Sequence, residues 1–120
     1  MKALALALAL ALALALAACL SACAGVALPR EQLTDPSALL FNGYTKPEVT
    51  CFKCHNGDAK GTMRGPSLEK KVATLSDSKL SDAIHKGAGF MPSFKDKLTD
   101  EEISAVIAWL HATFPKAPAP

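Results

Sequence analysis

Cys51-Phe52-Lys53-Cys54-His55 sets two thiols three residues apart and an imidazole directly behind the second. That spacing lets both thiols add to the two vinyl groups of one haem, while the next side chain turns its imidazole to the iron. Five residues alone recur by chance, and two other chemistries use the same cysteines. A redox dithiol normally opens a helix that follows a strand, and no strand pattern precedes residue 51. A zinc site wants two further ligands at close spacing, whereas His85 and His111 are single and distant. Haem attachment is the expectation that uses all three side chains.

The elements that must position these groups read as helices and loops. Ser37 begins a short helix, with Leu39, Leu40 and Phe41 as its apolar surface, stopped at Asn42-Gly43. Residues 51–66 are rich in glycine and turn formers and read as an irregular loop. Ser76-Asp77-Ser78 caps a helix carrying Leu80, Ala83 and Ile84, ended by Gly87. The clearest element is residues 99–114, where Thr99 and Glu102 have capping-box spacing. Ile103, Val106, Ile107, Leu110 and Phe114 then form one apolar stripe. Nothing alternates like a strand.

Composition divides the chain. Of its 120 residues, 50% are hydrophobic, but 25 of those 60 fall within residues 1–28. The remaining 92 residues carry 35, which is lean for a self-sufficient core of that size. A bound cofactor would supply the missing apolar surface. Net charge is +2, or +1 without Lys2, so nucleic-acid binding has no electrostatic support.

The front has the layout of a bacterial export signal: Lys2, an alanine-leucine run, then small residues. Leu20-Ser21-Ala22-Cys23 resembles a lipobox, with Cys23 as the acylated residue; Leu16-Ala17-Ala18-Cys19 is the alternative, with Cys19 acylated. Cleavage after Ala24, or an uncleaved anchor, are further options. Every option puts the domain outside the cytoplasmic membrane. The domain expectation is an export signal at 1–22, a tether at 23–36, the functional domain at 37–114 and a proline-rich tail at 115–120.

Over roughly residues 37–114 the chain resembles the small monohaem class I cytochromes c. The landmarks are the Cys51–Cys54–His55 motif, then Gly65-Pro66-Ser67-Leu68, then Gly87-Ala88-Gly89-Phe90-Met91-Pro92, then a terminal helix with Trp109-Leu110. The resemblance implies an all-α fold of three to four helices wrapped around one covalently attached haem c. It makes Cys51 and Cys54 the thioether links, His55 the proximal iron ligand and Met91 the distal ligand. It also sets the carbonyl of Pro66 against the Nδ1–H of His55, a carbonyl free because proline has no N–H of its own to compete. Met63 is the other methionine in the region, but it lies on the proximal-side loop leading to Pro66. One departure stands out: Phe41 lies ten residues before Cys51, farther than in many relatives. Either the first helix ends early and a loop leads in, or another residue packs on the terminal helix.

Around this site, Phe52, Phe90 and Phe94 are expected to line the pocket and exclude water. Tyr44 and Arg64 are candidate partners for the haem propionates. Trp109 is expected in the helix core, and His85 and His111 at the surface. Lys53, Lys60, Lys86, Lys95 and Lys97 flank the two haem loops and would steer an acidic redox partner. With His55 and Met91 on the iron there is no open position, which suits electron transfer and disfavours catalysis. No paired carboxylates, nucleophile-base pair or phosphate loop competes for an enzymatic role. The expected function is therefore single-electron shuttling between respiratory partners on the periplasmic side of a membrane. The alternatives are a haem subunit of a larger membrane oxidoreductase, or a gas or peroxide sensor in which Met91 is displaced.

Overall fold

The computed structural model of the chain describes residues 1–116. Its α-helices run in the order α1 Lys2–Ala22, α2 Pro36–Phe41, α3 Cys51–His55, α4 Leu68–Thr74, α5 Asp77–Lys86 and α6 Asp100–Thr113. A single 3₁₀ turn, Arg30–Gln32, precedes α2. The described residues form no sheet, only isolated bridges between Thr62 and Gly65 and between Ala88 and Met91. The fold is all-α and helix-rich.

Among the described residues five α-helices follow α1, against an expectation of three to four. The additional ones are α3 and α4, of five and seven residues. Neither is long enough to print a helical period on the sequence. The span 51–66 therefore begins with one turn of helix instead of being irregular throughout.

Local chemistry explains where α2, α5 and α6 start. Asp35 accepts the Ser37 N–H at 2.7 Å, and Pro36 sits in the first turn of α2, where a missing N–H costs nothing. Ser76 caps α5 by accepting the Lys79 N–H. In α6 the capping box closes in both directions: Glu102 N–H donates to Thr99 Oγ1 at 3.2 Å, and Thr99 N–H donates to Glu102 Oε2 at 2.9 Å. The α6 stripe of Ile103, Val106, Ile107 and Leu110 is buried. It packs with Leu40, Phe41, Val49, Val72, Leu80, Phe94 and Leu98 in one core, with α2, α4 and α5 against α6.

Helix α1 is long and apolar enough to cross a membrane, and its leucines from Leu4 to Leu16 are exposed. An N-terminal signal sequence has the same properties. The stretch that reads as a tether is bound to the domain over part of its length. Gly25 N–H donates to the Lys53 carbonyl at 2.9 Å, and Gly57 N–H to the Val26 carbonyl at 2.9 Å. Residues 117–120 of the proline-rich tail lie outside the described residues.

Candidate functional site

Helix α3 is one turn long, which puts Cys51, Cys54 and His55 at i, i+3 and i+4 on one face. Neither cysteine is in a disulfide. His55 is buried, at 8% exposure, with its Nδ1 2.8 Å from the Pro66 carbonyl oxygen. That oxygen can only accept, so Nδ1 carries a proton, and Nε2 is the nitrogen left to serve as a ligand. The loop carrying Pro66 is tied back to α3. Gly61 N–H donates to the His55 carbonyl at 2.8 Å, and Thr62 Oγ1–H to the Cys54 carbonyl at 2.6 Å.

Met91 is delivered by a tight turn behind α5. Ala88 N–H donates to the Met91 carbonyl at 3.1 Å, and Met91 N–H returns to the Ala88 carbonyl at 3.0 Å. Gly87 opens the turn with φ +83, in the left-handed region where a side chain is strained. A Cβ there would also stand 2.7 Å from the Met91 carbonyl oxygen. Beyond the turn, Ser93 Oγ–H donates to the His85 carbonyl at 2.6 Å, fixing the loop to the end of α5.

Two cavities, of about 260 Å³ and about 550 Å³, share Cys51, His55, Pro66, Ala88 and Met91 as walls. The smaller reaches into the core between Leu68, Leu80, Ile84, Val106 and Leu110. The larger carries Cys54, Arg64 and Phe94. The structure thus brings all five residues of the expected haem set to one apolar cleft. Two thiols, an imidazole with its Nδ1 already committed, a thioether and apolar walls are a donor set that fits a covalently held haem. Burial pushes the Cys51 thiol up to about 11, assisted by the neighbouring Cys54. A redox dithiol needs the opposite, a depressed thiol that is ionised near neutrality.

Other expected residues lie differently. Phe94 is buried beside the cleft, but Phe90 is fully exposed at the rim of the larger cavity. Phe52 packs on the core and lines neither cavity. Tyr44 is not directed at a propionate: its hydroxyl donates to the Leu28 carbonyl at 2.9 Å. Arg64 does line the larger cavity. Met63 is 89% exposed. His111 Nε2 lies 2.8 Å from Asp77, and His85 sits 4.0 Å from Asp100, both away from the cleft. Lys86 pairs with Asp82 at 2.9 Å, and Lys97 lies over the Phe94 ring. Trp109 packs on Phe41.

Three features were not anticipated. Asn42 is a buried polar hub, Lys46 pairs with Glu102 at 2.7 Å, and Lys71 lines the smaller cavity. Only Asn42 left a trace in the sequence, as the polar half of the Asn-Gly that ends α2.

A family model described as cytochrome c oxidase, cbb3-type, subunit III matches residues 41–110. The chain belongs to this cytochrome c family. The match spans every residue of the cleft named above. Cytochrome c6 of Bryopsis maxima is 33% identical over 66 residues, covering 50% of this chain and 75% of the relative. Cytochrome c6 of Parathermosynechococcus lividus is 32% identical over 75 residues, covering 59% and 86%. As a cytochrome c of this family the chain has a general electron-transfer role and is a carrier, not a catalyst. The relation to cytochrome c6 points to haem c as its cofactor. Family and α1 together are consistent with a membrane-associated place on the periplasmic side.

Proposed function

We propose that the protein carries single electrons on the periplasmic side of a bacterial membrane, through one covalent haem ligated by His55 and Met91. The observation behind this reading is the meeting of Cys51, Cys54, His55, Pro66 and Met91 on one apolar cleft. When bound, the haem supplies a one-electron iron couple.

The chain's own residues do the rest. Cys51 and Cys54 hold the group by thioether bonds. The Pro66 carbonyl accepts a hydrogen bond from His55 Nδ1–H, which would orient the ring with Nε2 forward. The Ala88–Met91 turn holds the thioether sulfur as the second ligand. The apolar walls keep water out, which together with thioether ligation favours a high potential. With His55 and Met91 both held to the iron, no ligand position would be left for a substrate. Lys95 and Lys97, on the chain that follows the Met91 turn, would meet redox proteins with acidic surfaces.

The anchoring reading rests on the Leu20-Ser21-Ala22-Cys23 run: cleavage before Cys23 and acylation of its sulfur, with Cys19 as the alternative position. A second reading, residence as the haem subunit of a larger membrane oxidoreductase, is favoured by the family description itself. Sizing of the gently solubilised membrane protein separates the two, because a subunit migrates with partner polypeptides and a free carrier alone.

Carbon monoxide tests the ligation. The reduced protein is expected to resist adduct formation, and the ferric protein to show the thioether charge-transfer band. Rapid adduct formation without that band would leave the iron open and support the sensor reading in which Met91 is displaced.

A further inference from the structure

We infer that residues 25–28 form a strap that holds the haem-motif helix α3 against the lipid surface, so that the haem keeps one fixed angle to the membrane. This rests on the anchored reading above and goes beyond it, because an anchored domain on a loose tether would have no fixed angle.

The strap is bonded along its length. Gly25 N–H donates to the Lys53 carbonyl within α3 at 2.9 Å. Val26 N–H donates to Asn56 Oδ1 at 3.0 Å, and the Val26 carbonyl accepts Gly57 N–H at 2.9 Å. Leu28 N–H donates to Asn42 Oδ1 at 2.9 Å, and the Leu28 carbonyl accepts the Tyr44 hydroxyl at 2.9 Å.

Glycine on both sides makes the approach possible. A Cβ at Gly25 would stand 1.8 Å from the Phe52 carbonyl oxygen. One at Gly57 would stand 2.5 Å from the Leu28 nitrogen and 2.6 Å from Asn42 Oδ1. Neither glycine has positive φ, so each serves close contact instead of a special backbone shape.

The length of chain before the strap then decides the geometry. An acylated Cys23 is two residues from Gly25, a reach of roughly 7 Å at full extension. Were residues 23–36 free, as the sequence reads, a flexible chain of that length would let the domain wander over roughly 20 Å. If α1 were retained as an anchor, it ends at Ala22, only three residues from Gly25. The surface presented beside the anchor suits a headgroup layer. Val26 is 72% exposed, and Lys53, whose carbonyl takes the first strap bond, is exposed as well. An apolar side chain beside a cation is what an anionic lipid interface accepts.

The test uses the full-length, haem-loaded, membrane-bound protein in oriented multilayers of phosphatidylethanolamine and phosphatidylglycerol. Electron paramagnetic resonance of the ferric haem is recorded as the layers are rotated in the field. The strap predicts a strong dependence of the spectrum on angle. A ten-residue Gly-Ser insertion between Ala24 and Gly25 leaves the strap docked but lengthens the anchor, and should abolish that dependence. Gly25→Ala should also abolish it, with faster amide exchange at Val26 and Leu28. A wild-type spectrum independent of angle, in protein still bound to membrane, overturns the strap alone. An insertion variant as well oriented as the wild type overturns it equally. Protein recovered in the soluble fraction, with no acyl group on Cys23 or Cys19 and α1 removed, overturns the anchored reading and the strap with it.

Discussion

Phe41 and Trp109 meet with ring centroids 5.0 Å apart and planes inclined at 49°. This contact joins α2 to α6 although Phe41 lies ten positions before Cys51. The early end of α2 is absorbed by the loop before α3, so Phe41 itself remains the packing residue. It is 2% exposed and also lines the smaller cavity, so it supports the core and the cleft at once. Phe41→Ala should cost about 3–5 kcal/mol of stability. Denaturant unfolding of the haem-loaded protein measures it; a loss below about 1 kcal/mol would contradict this role.

Gly87→Ala acts on the turn that carries Met91. The side chain is strained at φ +83 and meets the Met91 carbonyl at 2.7 Å, so the turn must shift. A cost of about 1–3 kcal/mol is expected, and it should appear first at the iron. The reduced variant should take up carbon monoxide faster than the wild type. Equal rates would mean that the turn does not set the position of Met91.

Asn42 holds three segments together. Its Nδ2 donates to the Ala38 carbonyl at 2.9 Å and the Gly57 carbonyl at 3.3 Å, while Oδ1 accepts from Leu28. Asn42→Ala leaves the Leu28 N–H and the Gly57 carbonyl without their Asn42 partner, at about 1–3 kcal/mol. Amide exchange should quicken at Leu28 while remaining unchanged in the middle of α6. Uniform acceleration throughout the domain would argue for global loss of stability only.

Lys46 Nζ–H donates to Glu102 Oε2 at 2.7 Å and to the Lys97 carbonyl at 3.0 Å, clasping the loop before α3 to the start of α6. The Lys46 hydrogen bond, and then the Thr99 N–H, hold the Glu102 carboxyl below its ordinary value. A carboxyl lowered on folding contributes stability above its unfolded pKa and loses it as pH falls through the folded one. Glu102→Gln should therefore cost on the order of 0.5 kcal/mol near neutrality, since the pair is partly exposed. The difference from wild type should shrink in acid. A difference that widened as pH fell would reverse the assignment.

Helix α6 was legible because Thr99 and Glu102 signal its start and the buried stripe repeats over three turns. Helices α3 and α4 were not, since one or two turns give no period to read. The chemistry-bearing residues were legible by type and spacing, and Cys51, Cys54, His55, Pro66 and Met91 do line one cleft. Tyr44 and Phe52 were misdirected because their partners are set by tertiary placement: the Tyr44 hydroxyl is taken by a main-chain carbonyl of the strap. The strap itself was hidden because residues 25–28 bond through their own backbone atoms, which leave no mark on residue type. Gly25 and Gly57 mark it only once each is seen against its close neighbours, Gly25 against Phe52 and Gly57 against Val26 and Leu28.

Intact-mass spectrometry of the exported, acid-denatured protein tests the central claim most directly. Covalent attachment through Cys51 and Cys54 predicts a polypeptide heavier by one haem, with neither thiol open to alkylation. A bare polypeptide with both thiols alkylated would contradict it.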